Sequence, residues 1–303
     1  MTAATVLPGP RVVTTATVAP GRDIVTAATA ATRPAQAALG TLFRPASRCG
    51  SACLSPAAAT TTPPRRLVRL AATVAILVAA GVAAATIRVM PRGRRPGAAG
   101  ALLRRTARAL LRALGVRCTR TGPALPARRA LVVANHISWL DILGLLATGD
   151  LRIVAKTDVA GWPVVGRLAR ISGTIFIDRE RPRTLVNTVA EIREALAGGH
   201  VVAVFAEGTT TCGWHPVPYR PAAFQAAIDA GACVVPVVLR YRTGDGEPTS
   251  RPAFIGDETL IASLRRVLGM PSLHLDVLVH ARLYPESGVS RGALGRLVTG
   301  TSA

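Results

Sequence analysis

From about Ala130 onward, short apolar runs alternate with stretches whose apolar positions recur at helical spacing. The runs are Ala130–Ala134, Leu151–Ala155, Thr174–Ile177, Val201–Phe205, Cys233–Leu239 and Leu273–Val279. Runs of this length, bounded by polar or turn residues, read as strands. Between most of them Trp139–Ala147, Pro163–Arg170, Arg183–Ala197 and Pro221–Ala230 read as helices. Strands and helices in this alternation predict an α/β domain, a mainly parallel sheet covered by helices. Pro236 inside one apolar run predicts a bulge or an edge position there, because proline has no N–H for a ladder.

Upstream the pattern changes twice. Residues 1–64 are rich in Ala, Thr, Pro and Val, show no sustained period and have Phe43 as their only aromatic. Such a segment buries too little apolar surface to offset its ordering entropy, so it is expected to be unstructured. Residues 65–90 then carry eighteen consecutive uncharged positions, Leu70 to Ile87, interrupted only by Thr73, Gly81 and Thr86. That length is close to the ~20 apolar residues that cross a bilayer core. One N-terminal transmembrane or membrane-anchoring helix is therefore expected ahead of the α/β domain. An Ala-rich helix buried in a soluble core would show the same run. Arg65, Arg66 and Arg69 before it, and Arg88, Arg92, Arg94 and Arg95 after it, favour the membrane reading and leave orientation open. Residues 91–122 read as a basic linker and an amphipathic helix. Leu103, Ala107, Leu110, Leu111 and Leu114 share one face, and Arg104, Arg105, Arg108 and Arg112 the other. Such a helix suits an anionic headgroup plane or the surface of a domain. Residues 123–303 complete the α/β domain.

Charge sharpens the choice of partner. The chain has 37 basic residues against 16 acidic ones, a net of +21, and Lys156 is its only lysine. Such a surface attracts polyanions, either nucleic acid or an anionic membrane. Aromatics make up only 4% of the chain, and no recognition motif or stacking platform is present, which weighs against a basic nucleic-acid-binding protein. The excess charge also clusters beside the apolar segment. An anionic membrane and no nucleic acid are the expected partners, with the chain at the cell membrane. The five cysteines, Cys49, Cys53, Cys118, Cys212 and Cys233, are scattered and odd in number. They make a poor disulfide framework and lack the clustered spacing of a zinc set. Free thiols in a reducing compartment, with no metal, are expected.

The candidate chemistry lies in "LVVANHISWLDILGLLA", residues 131–147, where His136 and Asp141 interrupt an apolar run. Each would lose hydration there and needs a partner. Five residues of regular helix turn the chain by roughly 140°, so the two would not share a helix face. They meet if His136 precedes the helix and Asp141 lies in its first turn. The carboxylate then accepts from one ring nitrogen and leaves the other free to take a proton. A purely structural His–Asp pair would give the same spacing. Downstream, "VVAVFAEGTTT" runs a strand into Glu207, Gly208 and Thr209, and "GTIFIDRERPR" ends another at Asp178, Arg179, Glu180, Arg181 and Arg183. Arginines at a strand end suit phosphate or carboxylate. A solvated charged loop is the simpler reading of Arg181 and Arg183.

Taken together these residues resemble the glycerolipid acyltransferases of the 1-acylglycerol-3-phosphate acyltransferase superfamily. Asn135-His136 with Asp141 matches the Asn-His-x4-Asp motif. Residues 155–179 resemble the second block, keeping Lys156, Pro163, Gly166, Gly173, Phe176, Ile177 and Arg179. "FAEGT" at Phe205–Thr209 resembles the third block, and "VVPVVL" at Val234–Leu239 the fourth. The resemblance implies a glycerolipid acyltransferase-like α/β fold and acyl transfer from acyl-CoA or acyl-carrier protein to a lysolipid hydroxyl. The acceptor implied is 1-acyl-sn-glycerol-3-phosphate. By analogy His136 is the general base and Asp141 orients it, with no cofactor beyond the acyl donor and no catalytic metal. Arg179 would hold the anionic headgroup. Glu207, Gly208 and Thr209 would line the acceptor site, and Asn135 and Lys156 count among the substrate-binding positions. The catalytic domain would face the cytoplasm. Two positions depart from the family pattern: Ala206 stands where proline is usual, and Thr210 where arginine is usual. "EGTTTCG" followed by "YRPAAF" looks more like the branch that acylates lyso-ornithine lipid or other lysolipids.

Overall fold

The computed structural model describes residues 47, 49–56, 59–178, 181–215, 217–286 and 288–302. Two helices come first, α1 (Pro63–Val89) and α2 (Arg95–Ala113). They are followed by β1 (Val116–Thr121), β2 (Ala130–Ala134), α3 (Leu140–Thr148), β3 (Arg152–Lys156), α4 (Pro163–Ile171) and β4 (Ile175–Ile177). Then come α5 (Leu185–Ala197), β5 (Val201–Phe205), α6 (Ala222–Asp229), β6 (Cys233–Thr243), α7 (Leu260–Gly269), β7 (Leu273–Val279) and α8 (Arg291–Ser302).

The seven strands form one sheet in the order β1-β7-β6-β2-β5-β3-β4. The five strands from β6 to β4 are mutually parallel; β7 runs antiparallel to β6, and β1 parallel to β7. The sheet is thus mainly parallel with a reversed pair at one edge. The central strands β2 and β5 are apolar throughout because both faces of the sheet are covered there. Ala130, Val132 and Ala134 of β2 join Leu111, Leu140, Leu145 and Leu268 in one core, with α2, α3 and α7. Leu131 and Val133 face the other core, with Ile192, Leu196, Phe224 and Val298 from α5, α6 and α8. Each fully buried leucine contributes roughly 1.5–3 kcal/mol.

One consequence of strand length positions the site. Ala134, the last residue of β2, lies opposite Val237, so the eleven-residue β6 overhangs β2 at its carboxyl end. Leu239, Arg240 and Tyr241 project past the point where β2 gives way to a turn. Pro236 sits inside β6 rather than on an edge. The return segment pairs Val237 with Val279 but Val234 with Leu283, one residue out of register, so a bulge lies opposite the proline. The proline's missing N–H falls at that break, and its carbonyl accepts from His280 N at 2.9 Å.

Four features correct or narrow the sequence reading. β1 was hidden in the stretch read as linker and amphipathic helix. It is an edge strand whose only buried residue is Val116, so its polar sequence carries no strand signal. The helix ends at Ala113 and Gly115 turns the chain at φ 78°. The α/β domain therefore begins at β1, ahead of residue 123. Second, α7 and α8 also belong to the domain. Third, the leucine face of α2 packs into the sheet core through Ala107, Leu111 and Leu114, so its arginines form the outward face. Fourth, residues 49–56, inside the segment expected to be unstructured, hydrogen-bond to Ser250 and Arg251; residues 1–46 lie outside the described residues.

Helix α1 is the one described helix long and apolar enough to cross a membrane, by length and composition. Only 22% of its most apolar window is buried. It nevertheless lies against the domain along its length. Near its start the Arg69 guanidinium donates to Met270 O at 2.6 Å, Pro271 O at 2.9 Å and Leu268 O at 3.3 Å. Gly115 makes room for that guanidinium, since a Cβ there would stand 2.1 Å from Arg69 Nη2. Farther along, Ala80 and Ala84 pack on Leu168 of α4.

Candidate active site

β2 and β5 run side by side, and their carboxyl ends deliver Asn135-His136 and Ala206-Glu207 to one place. That is where open α/β sheets hold their ligands. His136 lies in the turn between β2 and α3, and Asp141 in the first turn of α3. The helix has no side-chain N-cap bond. Asp141 supplies what is missing: its Oδ2 accepts from Ile137 N at 2.6 Å and Ser138 N at 2.8 Å. A carboxylate there satisfies backbone donors left unpaired around the helix start and sits favourably with the helix dipole. The same Oδ2 lies 2.9 Å from His136 Nδ1. Asp141 is wholly buried, and the His136 side chain is 13% exposed.

An ionised Asp141 can only accept, so it assigns the proton to Nδ1 and makes Nε2 the acceptor nitrogen. Among the described residues Nε2 has no hydrogen-bond partner. The imidazole is held flat against Phe205, ring centroids 3.9 Å apart and planes 15° from parallel. From the other side Tyr241 Oη donates to Asp141 Oδ1 at 2.6 Å. Burial, then the Asp141 charge, push the Tyr241 phenol well above its usual range, so it stays a donor. Phe205 and Tyr241 were not assigned roles from sequence. The signal for Tyr241 was available: it shares a face of β6 with Val237 and Leu239, and a buried phenol requires a partner.

Asn135 is held by the β6 overhang. Its amide donates to Leu239 O at 3.0 Å, and its Oδ1 accepts from Leu239 N at 2.8 Å. Its first contribution is to hold β2 against β6. Glu207 is nearly buried, and its Oε2 accepts from His136 N at 3.2 Å and from Thr211 Oγ1 at 3.3 Å. Thr211 N in turn donates to His136 O at 2.8 Å. Asn135 and Glu207 also line a cavity with Trp214, Tyr219 and Arg240. Gly208 adopts φ 78°, which lets the chain reverse directly after the carboxylate. Ala206 N donates to Ala134 O at 3.3 Å, a bond proline could not make. Thr210 Oγ1 donates to Phe254 O, so this position presents a hydroxyl turned to backbone and no cation. Thr209 is half-buried.

Of the remaining sequence candidates, Lys156 does not join this group. Lys156 ends β3, with β5 between that strand and β2, and its Nζ lies 2.5 Å from Asp158 Oδ2. Arg179 lies outside the described residues.

Burial raises the Glu207 carboxyl to about 7, against the hydrogen bonds from His136 and Thr211 that favour its charged form. The native state therefore binds a proton that the unfolded chain releases near its ordinary value of 4.5. Stability should fall as pH rises from about 4.5 through about 7, since the folded form then holds more protons than the unfolded one. Thermal unfolding of the wild type and Glu207→Gln across that range checks this: the substitution should flatten the slope. An equal slope in both would place the titrating group elsewhere.

A family model described as "Acyltransferase" matches residues 116–240, from β1 to the β6 overhang. The chain is 37% identical over 164 residues to the 1-acyl-sn-glycerol-3-phosphate acyltransferase of Neisseria gonorrhoeae, covering 54% of this chain and 64% of that protein. The match thus spans less than two thirds of that relative's length. It is 34% identical over 197 residues to the lyso-ornithine lipid O-acyltransferase of Rhizobium meliloti, covering 61% and 68%. The crystal structure of the 1-acyl-sn-glycerophosphate acyltransferase PlsC from Thermotoga maritima shares the fold. It superposes with a TM-score of 0.61 at 19% identity, over 78% of this chain and 91% of that one. With four motif blocks in order, the matching family model and these relatives, the chain belongs to the PlsC-like superfamily of glycerolipid and lysophospholipid acyltransferases.

Proposed function

We propose that the protein transfers a fatty acyl group from acyl-CoA or acyl-carrier protein to the hydroxyl of a lysolipid, 1-acyl-sn-glycerol-3-phosphate, to give phosphatidate. The observation that carries this reading is the 2.9 Å contact between His136 Nδ1 and the buried Asp141, with Nε2 left as a base. In the reaction, Nε2 takes the proton of the acceptor hydroxyl. The oxygen bonds to the thioester carbonyl carbon, and the carbon–sulfur bond breaks. The departing thiolate takes the proton back from the imidazolium. Asp141 stays ionised and stabilises the imidazolium, and no acyl-enzyme forms. One such positioned base contributes typically 10²–10⁴-fold. No cofactor or metal enters these steps; the acyl donor is a substrate.

A second acceptor, lyso-ornithine lipid, is favoured by one specific observation. Thr210 stands where the family pattern has an arginine, and its hydroxyl is turned onto Phe254 O, so this position brings no cation to an acceptor phosphate. The Rhizobium relative is named for that lipid.

An anionic membrane as the working surface is supported by two features. Arg65, Arg104, Arg108, Arg112, Arg117 and Arg120 line one groove between the N-terminal helices and the sheet edge. Val74, Val78 and Val82 expose an apolar stripe on the outer face of α1. Because α1 is docked near both ends, this arrangement supports a helix lying along the bilayer surface with the domain beside it. The domain would face the cytoplasm, where both acyl donors occur.

Membranes bearing the protein, given labelled oleoyl-CoA, should acylate lysophosphatidate. Transfer confined to lyso-ornithine lipid would keep the reaction and replace the acceptor. Transfer to no lysolipid from either acyl donor would overturn the reading.

A further inference from the structure

Three thiols meet where the chain ahead of α1 crosses the loop that follows Glu207. The Sγ atoms of Cys49, Cys53 and Cys212 all lie within 4.8 Å of one another, and all three cysteines are free. Among the described residues this is the one such cluster of three potential metal ligands. Cys49 and Cys53 bracket a single 3-10 turn, Ser51–Cys53, and Cys212 comes from the opposite side, 163 residues away.

Both sides of the cluster are held independently of the sulfurs. The strap is fixed by Ser55 N donating to Ser250 Oγ at 2.8 Å, and by Ser250 N donating to Ser55 Oγ at 3.0 Å. Ser250 Oγ donates to Cys53 O at 2.7 Å, and Arg251 Nη1 to Ser55 O at 3.1 Å. The loop is fixed by Thr211, which donates its N–H to His136 O and its hydroxyl to Glu207. The sulfurs are therefore brought together by surrounding structure.

We propose that Cys49, Cys53 and Cys212 form a binding site for a thiophilic metal ion, Zn²⁺, that clasps the strap to the active-site loop. The Cys-x3-Cys spacing falls within the range common in zinc sites, where two to four residues separate paired ligands. With Zn–S bonds of about 2.3 Å, the sulfurs of a tetrahedral site stand roughly 3.8 Å apart, a short contraction from this arrangement. A disulfide would use two of the three sulfurs and leave the third pressed against it. The site also holds an N–H···S bond of the kind that supports a bound thiolate: Cys212 N donates to Cys49 Sγ at 3.3 Å. Burial pushes the Cys49 thiol up, but hydrogen bonds from Ser47 and Cys212 outweigh it and leave the group below its usual value. Burial raises Cys212 to about 11. Zn²⁺ binding displaces the thiol protons, one for each sulfur that coordinates, and leaves a fourth position for water or another ligand.

The clasp would position, not catalyse. It would hold the loop that carries Thr211, and through it the main chain of His136 and the carboxylate of Glu207.

The test uses the full chain in detergent, reduced and stripped of metal, titrated with Zn²⁺ alone against a chromophoric chelator. One equivalent should bind per chain. Cys49→Ser, Cys53→Ser and Cys212→Ser should each weaken binding at least 100-fold, and Cys118→Ser and Cys233→Ser should leave it unchanged. Should a variant fold poorly, alkylation of the wild type followed by peptide mapping reads the same question. Zn²⁺ should protect the peptides of Cys49, Cys53 and Cys212 until a chelator is added. No stoichiometric binding, or protection of none of the three, would overturn the proposal. So would a Cys49–Cys212 disulfide as the state isolated without reductant. The readout is metal and thiol, so the outcome stands apart from any failure of the acyl-transfer reading.

Discussion

Replacing His136 by alanine should lower the rate of acyl transfer by about 10²–10⁴-fold, which is roughly 3–5 kcal/mol of transition-state stabilisation. Among the described residues the imidazole is the one base whose free nitrogen is set by a buried carboxylate, and none beside it can replace it. Glu207 faces the His136 main chain rather than its ring. The substitution also removes the stack on Phe205, about 0.5–1.5 kcal/mol beyond burial. The folded state should therefore survive, with a melting temperature lower by a few degrees. Initial rates and thermal unfolding of the same preparation separate the two effects. A rate loss that tracked the loss of folded protein would assign His136 a structural role.

Asp141 combines both kinds of effect. Its two oxygens accept from Ile137 N, Ser138 N, His136 Nδ1 and Tyr241 Oη in a site closed to water. Asp141→Ala leaves those donors unpaired, at about 1–3 kcal/mol for each buried group that finds no other partner. It should both unfold more readily and lose transfer. Asp141→Asn keeps the shape. Its carbonyl can still accept from the two backbone N–H groups and the imidazole, while its amide donates to Tyr241 Oη. Lost is the negative charge that stabilises the imidazolium. Asp141→Asn should therefore approach wild-type stability and still fall by about 10²-fold or more in rate. Stability and rate measured on both variants check this. Wild-type rates from a folded Asp141→Asn would contradict the role of the charge.

Much of this arrangement could be read from sequence where one physical signal dominates. β2 and β5 begin and end where the apolar runs do, because strands buried on both faces admit no polar residue; β7 does so through its alternation of buried and half-buried positions. The spacing of His136 and Asp141 limited their geometry to a turn followed by a first helical turn, the arrangement the chain adopts. The signal failed where tertiary context decides. β1 is an edge strand with one buried residue, and its polar sequence merged with the helix before it. Tyr241 reaches Asp141 across 100 residues of sequence, and Asn135 reaches Leu239 across 104. Both contacts depend on how far β6 outruns β2, which no local pattern encodes. The thiol cluster was missed for the same reason, since two of its three cysteines lie in a stretch whose composition suggested no structure. Lys156 shows the converse limit: it occupies a family motif position, yet its ammonium pairs with Asp158.

The most direct test of the account is acceptor-dependent release of free thiol from oleoyl-CoA, measured for the wild type and His136→Ala at equal folded concentration. Lysophosphatidate and lyso-ornithine lipid would each be offered as acceptor. The account predicts release that requires an acceptor, matches lipid product one for one, and falls at least 10²-fold in the variant. Equal rates from the two proteins, or an acyl group left covalently on the enzyme before acceptor is added, would contradict direct transfer with His136 as its base.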